Sequence, residues 1–375
     1  MKGIKYCCPI NDVSGYGNSS REYVLSLHKK GVPIRVTPHC FETNPPPVGT
    51  EREGFIFREL VGSDIDYDVV ISQLTPDMAV QHYEEGKYNI AYFAWETSFV
   101  HPHWVKCLNR MQEVWTPSAW NVEAIRSSGV TVPVHKIPHG ISPDRFDGVE
   151  KSALEIAGLD KNSYKFYNIF QWSARKNPES LIRAYFNAFN GDDNVVLLLK
   201  TYIGKGGPVE QKLIIEYIQS IKKDMGFSKY PRIVLLTDLL NDLQMKALHL
   251  NMDCFVSLHT AEGFGLTPFE AGLAGNPVIA TGMGGNMEFM NAENSFPVNF
   301  QWTYVKNMSS FNQWYLGNGQ WASPEEPHAA HLMRYAYNNR EAAKVKGSLL
   351  SKYIKDNFSW DKVSDMMLAR LKQVV

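Results

Sequence analysis

The sequence predicts an α/β protein built from two doubly wound, Rossmann-like domains, and three observations carry that expectation. Nine short runs rich in apolar and β-branched residues, VPIRV, YDVVISQ, NIAYFAW, EVWTPS, KFYNIFQWS, VVLLLKTY, RIVLLTD, DCFVSLH and NPVIAT, are each followed by a polar or amphipathic stretch. That rhythm belongs to parallel strands joined by helical crossovers. The chain has 375 residues, 44% of them hydrophobic, which suits two cores at about 150 residues per domain. The rhythm breaks at HGISPDRFDGVEKSALEIAGLDKNS, where Pro, Gly, Asp and Asn gather before a new strand opens at Lys165, so the boundary is expected near 147 to 163.

Composition excludes several function classes. Charged residues make up 21% and the formal net charge is -1, so no overall field exists to hold a nucleic-acid backbone, and nucleic acid is not an expected partner. Cys7, Cys8, Cys40, Cys107 and Cys254 are scattered, and no C-x-x-C pair suggests zinc or redox chemistry. A reducing cytoplasm is the simplest compartment. The start, MKGIKYCCPINDVSG, turns polar too early for a signal peptide. No apolar run approaches the roughly 20 residues that cross a bilayer, so any membrane contact would be peripheral. No repeat is visible, and the Pro-rich NPPPVG at 44–49 reads as a surface loop.

In doubly wound sheets ligands bind beyond the carboxyl ends of the strands, and two glycine-rich loops lie where such ends are expected. The first, CPINDVSGYGNSSREYVLSLHKKGV, carries Gly15 and Gly17 ahead of a helix. Ser19 and Glu22 have capping-box spacing there, and Tyr23, Val24 and Leu27 form the apolar face. The helix start would offer N–H groups to an anion, yet the third glycine of a dinucleotide fingerprint is absent. A tight turn without a ligand fits equally well.

The second loop lies in DCFVSLHTAEGFGLTPFEAGLAGNPVIAT: a buried strand, then Gly263 and Gly265, then a helix with Thr267 expected at its N-cap and Pro268 at its first position. Glu270 would then cap its own helix reciprocally, and Glu262 would be a solvated loop residue. The other reading is chemical. Glycines admit a ligand close to the backbone, the helix start meets a phosphate, and Glu262 and Glu270 accept hydrogen bonds from sugar hydroxyls. Carboxylates repel a pyrophosphate, so this reading calls for cations nearby. Arg175 and Lys176, in NIFQWSARKNPESLIRAYFNAF, stand where the second domain's first strand gives way to a helix. As a solvated basic pair they would be unremarked; their place in the sheet makes them candidates.

In order along nearly the whole chain, SGYG, YFAWETSFVHPHW, EVWTPSAWNVEAI, IPHGISPDRF, SARKNPESLIRAY and EGFGLTPFEAGLAGNPVIATGMGGNMEF resemble a retaining glycosyltransferase of the GT-B fold, in the family 4 group. The last segment matches the family's Glu-x7-Glu element and the Gly-Gly-x-x-Glu that follows. The resemblance implies two Rossmann-like domains facing across a cleft. Residues 1–148 plus the closing helix at 358–375 would form the acceptor side, and residues 149–357 would bind a nucleotide-sugar donor.

It further implies Glu262 on the donor sugar, Glu270 on the ribose, and the backbone of Gly263, Phe264, Gly265 and Leu266 along the sugar and diphosphate. Thr267 and Pro268 would lie beside the phosphates, and Lys176 with Arg175 would clamp them. Gly15 and Gly17 belong to the same donor set. Two departures stand out. The arginine expected five residues before Lys176 is Gln171, leaving Arg175 to supply that charge, and the family's first-domain histidine has no match, so Glu96 of the Trp-Glu-Thr element is the candidate there. His101, His103 and His139 are bystanders or line the cleft.

The implied reaction is sugar transfer with retention to a glycan, lipid-linked or other acceptor, without a cofactor or metal. Asp64 and Asp66 have D-x-D spacing but precede a strand, the wrong end of a sheet for ligands. The rival readings are a sugar-nucleotide epimerase or phosphorylase of the same fold, and a non-catalytic sugar-nucleotide-binding subunit. The rings near the end, Trp302, Tyr304, Trp314, Tyr315 and Trp321, follow no single face and read mostly as packing.

Overall fold

All nine apolar runs form strands in the computed structural model, which describes residues 1–12, 14–39, 51–204, 207–306, 313–315 and 317–375. The NPPPVG segment and Cys40 lie outside the described residues. The chain divides into two units: Met1–Ser142 with Trp314–Gly319 and Asn357–Val375, and Pro143–Gln313 with Gln320–Asp356. No helix among the described residues is long and apolar enough to cross a membrane.

In the first unit the elements are β1 (Ile4–Cys8), α1 (Gly15–Lys29), β2 (Ile34–Pro38), α2 (Glu51–Leu60), β3 (Val69–Gln73), α3 (Pro76–Ala79), β4 (Tyr88–Tyr92), α4 (Pro102–Leu108), β5 (Glu113–Thr116), α5 (Ala119–Ser127) and β6 (Val134–Lys136). The strands form one parallel sheet in the order β2-β1-β3-β4-β5-β6. A parallel sheet needs cover on both faces. On one, Tyr6, Ile71 and Ile90 pack with Val24 and Leu27 of α1. On the other, Val70, Ala91 and Val114 pack with Trp104 of α4 and Ile125 of α5.

The second unit begins with β7 (Tyr164–Gln171), α6 (Pro178–Ala188), β8 (Val195–Tyr202), α7 (Pro208–Met225), β9 (Arg232–Leu236), α8 (Asp242–Asn251), β10 (Cys254–Ser257), α9 (Leu266–Leu273), β11 (Val278–Thr281) and β12 (Phe296–Val298). A hairpin of β13 (Phe300–Tyr304) and β14 (Gln320–Pro324), then α10 (Glu326–Asn338) and α11 (Arg340–Asn357), follow. The closing helix α12 (Trp360–Leu371) belongs to the first unit, where Val363, Met367 and Leu371 join the α1 face of its core.

The second sheet is parallel with order β12-β11-β10-β7-β8-β9. From β7 the chain winds outward through β8 to β9, then returns to lay β10 on β7's other side. The direction of winding reverses between β7 and β10, so their outgoing loops diverge to opposite faces and leave a crevice at their carboxyl ends. That crevice locates the candidate site.

Candidate functional site at the switch point of the second sheet

The loop leaving β7 turns sharply. Ala174–Lys176 form a single 3-10 turn, and Asn177 adopts φ 49°, the left-handed region that non-glycine residues rarely enter. The Asn177 side chain accepts a hydrogen bond from the Ser180 N–H at 3.4 Å and so caps α6. The turn holds Arg175 and Lys176 over the strand end. It is pinned to the loop leaving β10, because the Arg175 carbonyl accepts from the Thr260 N–H at 2.8 Å and from its hydroxyl at 3.1 Å.

Glu262 lies in that second loop, 6% exposed. Lys176 Nζ donates to its Oε1, and Arg175 Nη1 donates to Oε2 at 3.3 Å and to the Ala261 carbonyl at 2.9 Å. Burial by itself would raise the Glu262 carboxyl, but the charges of Lys176 and Arg175, with His259 beneath, outweigh it and hold the group down at about 2. Glu262 is therefore ionised at any physiological pH. Lys176 and Arg175 thus bring two positive charges to the Glu262 carboxylate. His259 has its acidity set chiefly by burial, which pushes it down to about 4. Its ring lies between Ser257 Oγ at 3.2 Å and the Met283 carbonyl at 3.3 Å, so it is a neutral supporting residue.

A third loop, after β11, completes the arrangement. The Gly285 N–H donates to the Glu262 carbonyl at 2.8 Å, and a Cβ at position 285 would sit 1.9 Å from the Gly263 oxygen. Only a glycine permits that approach. Phe264 anchors the glycine loop from below, buried against Phe269 at 5.1 Å and Phe289 at 5.5 Å between ring centroids.

The expected helix caps need correction in both glycine loops. Helix α9 starts at Leu266, with Gly265 at its N-cap at φ 89°, so Thr267 and Pro268 are the second and third helical residues. Proline is still tolerated, because first-turn N–H groups have no partner within the helix. Glu270 lies beyond the capping position and does not cap α9.

The Glu270 carboxylate instead meets Arg145 Nη2 at 3.0 Å on Oε1 and His249 Nε2 at 3.7 Å on Oε2. Burial raises the Glu270 carboxyl, and Arg145 and His249 outweigh it to hold the group below its ordinary range. Arg145 also donates to Asp242 Oδ1 at 2.9 Å, at the start of α8. Neither Arg145 nor His249 was singled out from the sequence. Arg145 lay unassigned inside IPHGISPDRF, and His249 occupies an amphipathic helix where a histidine carries no local signal.

Helix α1 starts at Gly15 under a Ser14 cap, whose side chain accepts from the Gly17 N–H at 3.3 Å. The Ser19–Glu22 box does not open it; the Ser19 hydroxyl donates back to the Tyr16 carbonyl at 3.1 Å. Gly15 and Gly17 are thus first-turn residues. Close packing requires the second of them, since a Cβ there would fall 2.0 Å from the Asp12 oxygen. Tyr16, between them, bonds the backbone of Ala94 through its hydroxyl at 3.1 and 3.3 Å, tying the start of α1 to the segment that carries Glu96.

The Tyr315 hydroxyl donates to Glu96 Oε2 at 2.8 Å, and the Tyr315 ring stacks on Trp95 at 4.7 Å. Trp314 stacks on Trp104 at 4.5 Å, so these two rings serve packing. His139 is buried with Nδ1 3.0 Å from the Tyr23 hydroxyl, and burial pushes it down to about 3, the state of a core histidine. His101 caps α4 by accepting from the His103 N–H at 3.1 Å. Gln171 donates to the Ile203 carbonyl at 3.3 Å, and Arg175 is the arginine that reaches the cluster. Asp64 and Asp66 are exposed at the amino end of β3.

Two Rossmann-like parallel sheets, the second with its switch point at β7 and β10, define a protein of the GT-B fold class. Solved structures sharing the fold include sucrose-phosphate synthase from Thermosynechococcus elongatus (14% identical, TM-score 0.72, covering 100% of this chain and 99% of that one). Anabaena HepE in complex with UDP-glucose is another (13% identical, TM-score 0.70, covering 100% of both chains). Residues 154–299 match the family model described as glycosyl transferases group 1. Among curated proteins, the α-1,3/1,6-mannosyltransferase ALG2 of Dictyostelium discoideum is 36% identical over 153 residues, 37% of this chain. The chain spans about a third of the length of that relative, 34%.

Proposed function

We propose that the protein is a retaining glycosyltransferase that moves a sugar from a nucleoside diphosphate to a glycan, lipid-linked or other acceptor. The observation that carries this reading is the convergence of Lys176, Arg175 and ionised Glu262 at the switch point, beside the glycine loop that opens α9. In this reading the diphosphate lies against the two cations and the first-turn N–H groups of α9, where helix and side-chain charge favour an anion. Glu262 accepts from the donor sugar's hydroxyls and Glu270 from the ribose diol. The second unit is the donor side and the first, with Glu96, serves the acceptor side, while Gly15 and Gly17 keep the donor-binding role that the resemblance implies. The UDP-glucose in the HepE structure and the mannosyltransferase activity named for ALG2 both support a nucleotide-sugar donor.

As the bond from the anomeric carbon to the diphosphate oxygen breaks, negative charge grows on the leaving phosphate. In this reading Lys176, Arg175 and the first-turn amides of α9 stabilise that charge as it develops, as preorganised donors do. The acceptor hydroxyl attacks from the face the diphosphate leaves, forming the new glycosidic bond while a leaving-group oxygen takes the hydroxyl proton. Configuration is retained, and this protein's side chains supply the charge that a divalent cation would otherwise bring.

A thermal-shift screen with UDP-glucose, UDP-GlcNAc, GDP-mannose and ADP-glucose tests the donor site. At least one should stabilise the protein, and stabilisation by none refutes the reading. Release of nucleoside diphosphate on adding an acceptor panel separates a transferase from a subunit that only binds.

A further inference from the structure

The Glu270 carboxylate is served by a buried chain of hydrogen bonds whose proton positions can be read from its partners. Asn276 Nδ2 lies 2.8 Å from the His249 carbonyl and 2.8 Å from the Tyr167 hydroxyl. A carbonyl only accepts, so the atom facing it is the amide NH2, and that orientation makes the Tyr167 oxygen an acceptor as well. The phenol proton is then left to donate to His249 Nδ1, 2.8 Å away. With Nδ1 accepting, the neutral imidazole carries its proton on Nε2. Nε2 is buried without a hydrogen-bond partner, and the group it faces is Glu270 Oε2 at 3.7 Å.

We infer that His249 is a positioning residue for the carboxylate that reads the nucleotide's ribose, its tautomer imposed by Asn276 and Tyr167. The inference rests on the donor-site reading above. At 3.7 Å the contact is too long for a hydrogen bond, yet a proton on Nε2 still attracts Oε2 while Arg145 Nη2 lies 3.0 Å from Oε1. The two restrain the carboxylate's rotation before a ligand arrives, and its remaining lone pairs are left for a diol. The side chain stays about a quarter exposed, 24%, so it is open to that diol. Asn276 follows α9, Tyr167 is in β7 and His249 in α8, so two elements of one unit impose the proton's place on a third. The other tautomer would turn a lone pair toward the carboxylate.

The test is discrimination between ribose and deoxyribose, which a loss of packing alone does not change. Affinities for UDP, GDP and ADP and for their 2′-deoxy counterparts are measured by calorimetry on the wild type, Glu270→Ala, His249→Gln, His249→Leu and Tyr167→Phe. Glutamine places an amide N–H near the position of Nε2, whereas leucine places none. The expected result is a ribose preference of about tenfold or more in the wild type, retained in H249Q, and lost in H249L to the level of E270A. Y167F should fall between them, because it removes the donor that fixes the tautomer. A ribose preference that disappears in E270A yet is undiminished in H249L overturns the positioning role and leaves the donor site standing. A preference unaltered in E270A overturns the ribose role of Glu270 and the positioning role with it but leaves the donor site standing, whereas a wild type that binds none of the nucleotides overturns the donor site as well.

Discussion

Replacing Glu262 with glutamine keeps its shape and removes the charge on which Lys176 and Arg175 converge. The wild-type carboxyl titrates at about 2 in place of its ordinary 4.5. At about 1.36 kcal/mol per pH unit, that difference ties roughly 3 kcal/mol of stability to this group at neutral pH. A separate argument reaches the same size, since removing one partner from a buried ion pair costs about 3 to 5 kcal/mol. The sign follows from proton uptake. Between pH 4.5 and 2 the unfolded chain binds the proton and the folded one does not, so this stabilisation is complete above 4.5 and disappears as pH falls through 2. The gap between wild type and Glu262→Gln should therefore be about 3 kcal/mol at pH 7 and about 1.4 kcal/mol at pH 3. Urea unfolding of both proteins, followed by tryptophan fluorescence at several pH values, measures it. A gap below about 1 kcal/mol at pH 7, or one that does not change with pH, would refute the ion-pair account.

Three further outcomes are expected. Lys176→Ala should lower turnover with a stabilising nucleotide sugar by more than a hundredfold, the effect of losing about 3 to 4 kcal/mol of preorganised charge; steady-state release of nucleoside diphosphate reads it, and a change under tenfold would count against a role on the leaving group. Gly285→Ala puts a Cβ 1.9 Å from the Gly263 oxygen, a backbone atom, so a loss of at least about 1 to 3 kcal/mol should accompany loss of the nucleotide-sugar thermal shift. Turnover should survive EDTA; complete loss restored by Mg²⁺ or Mn²⁺ would contradict transfer driven by side-chain charge alone.

Strands and site were legible to different degrees. VVLLLKTY could be read as a strand because its cause is local: a run apolar on both faces is stable only between covered faces of a sheet, and β8 is buried along all but its last residue. β1, IKYCC, was missed although it lies inside its sheet, because a five-residue run opening on Ile-Lys shows too little pattern to separate it from a loop. Helix starts were misplaced for another reason. Thr267 and Ser19 have the right chemistry for caps, but the helices begin where the backbone is held: at Gly265 by its left-handed turn, and at Gly15 under Ser14, with Gly17 packed against Asp12.

By itself the sequence determined the α/β class, the nine runs that become strands, and the residue types that would gather at strand ends, because apolar periodicity and loop chemistry act over a few neighbouring residues. Only the tertiary structure decided which of those residues meet. Lys176 and Arg175 leave β7 and Glu262 leaves β10, and they share one crevice because the sheet reverses its winding between those two strands. Arg145 and His249 reach Glu270 from separate elements. An ion pair or an imposed tautomer depends on distances of a few ångströms between groups far apart in the chain, and packing alone sets those distances.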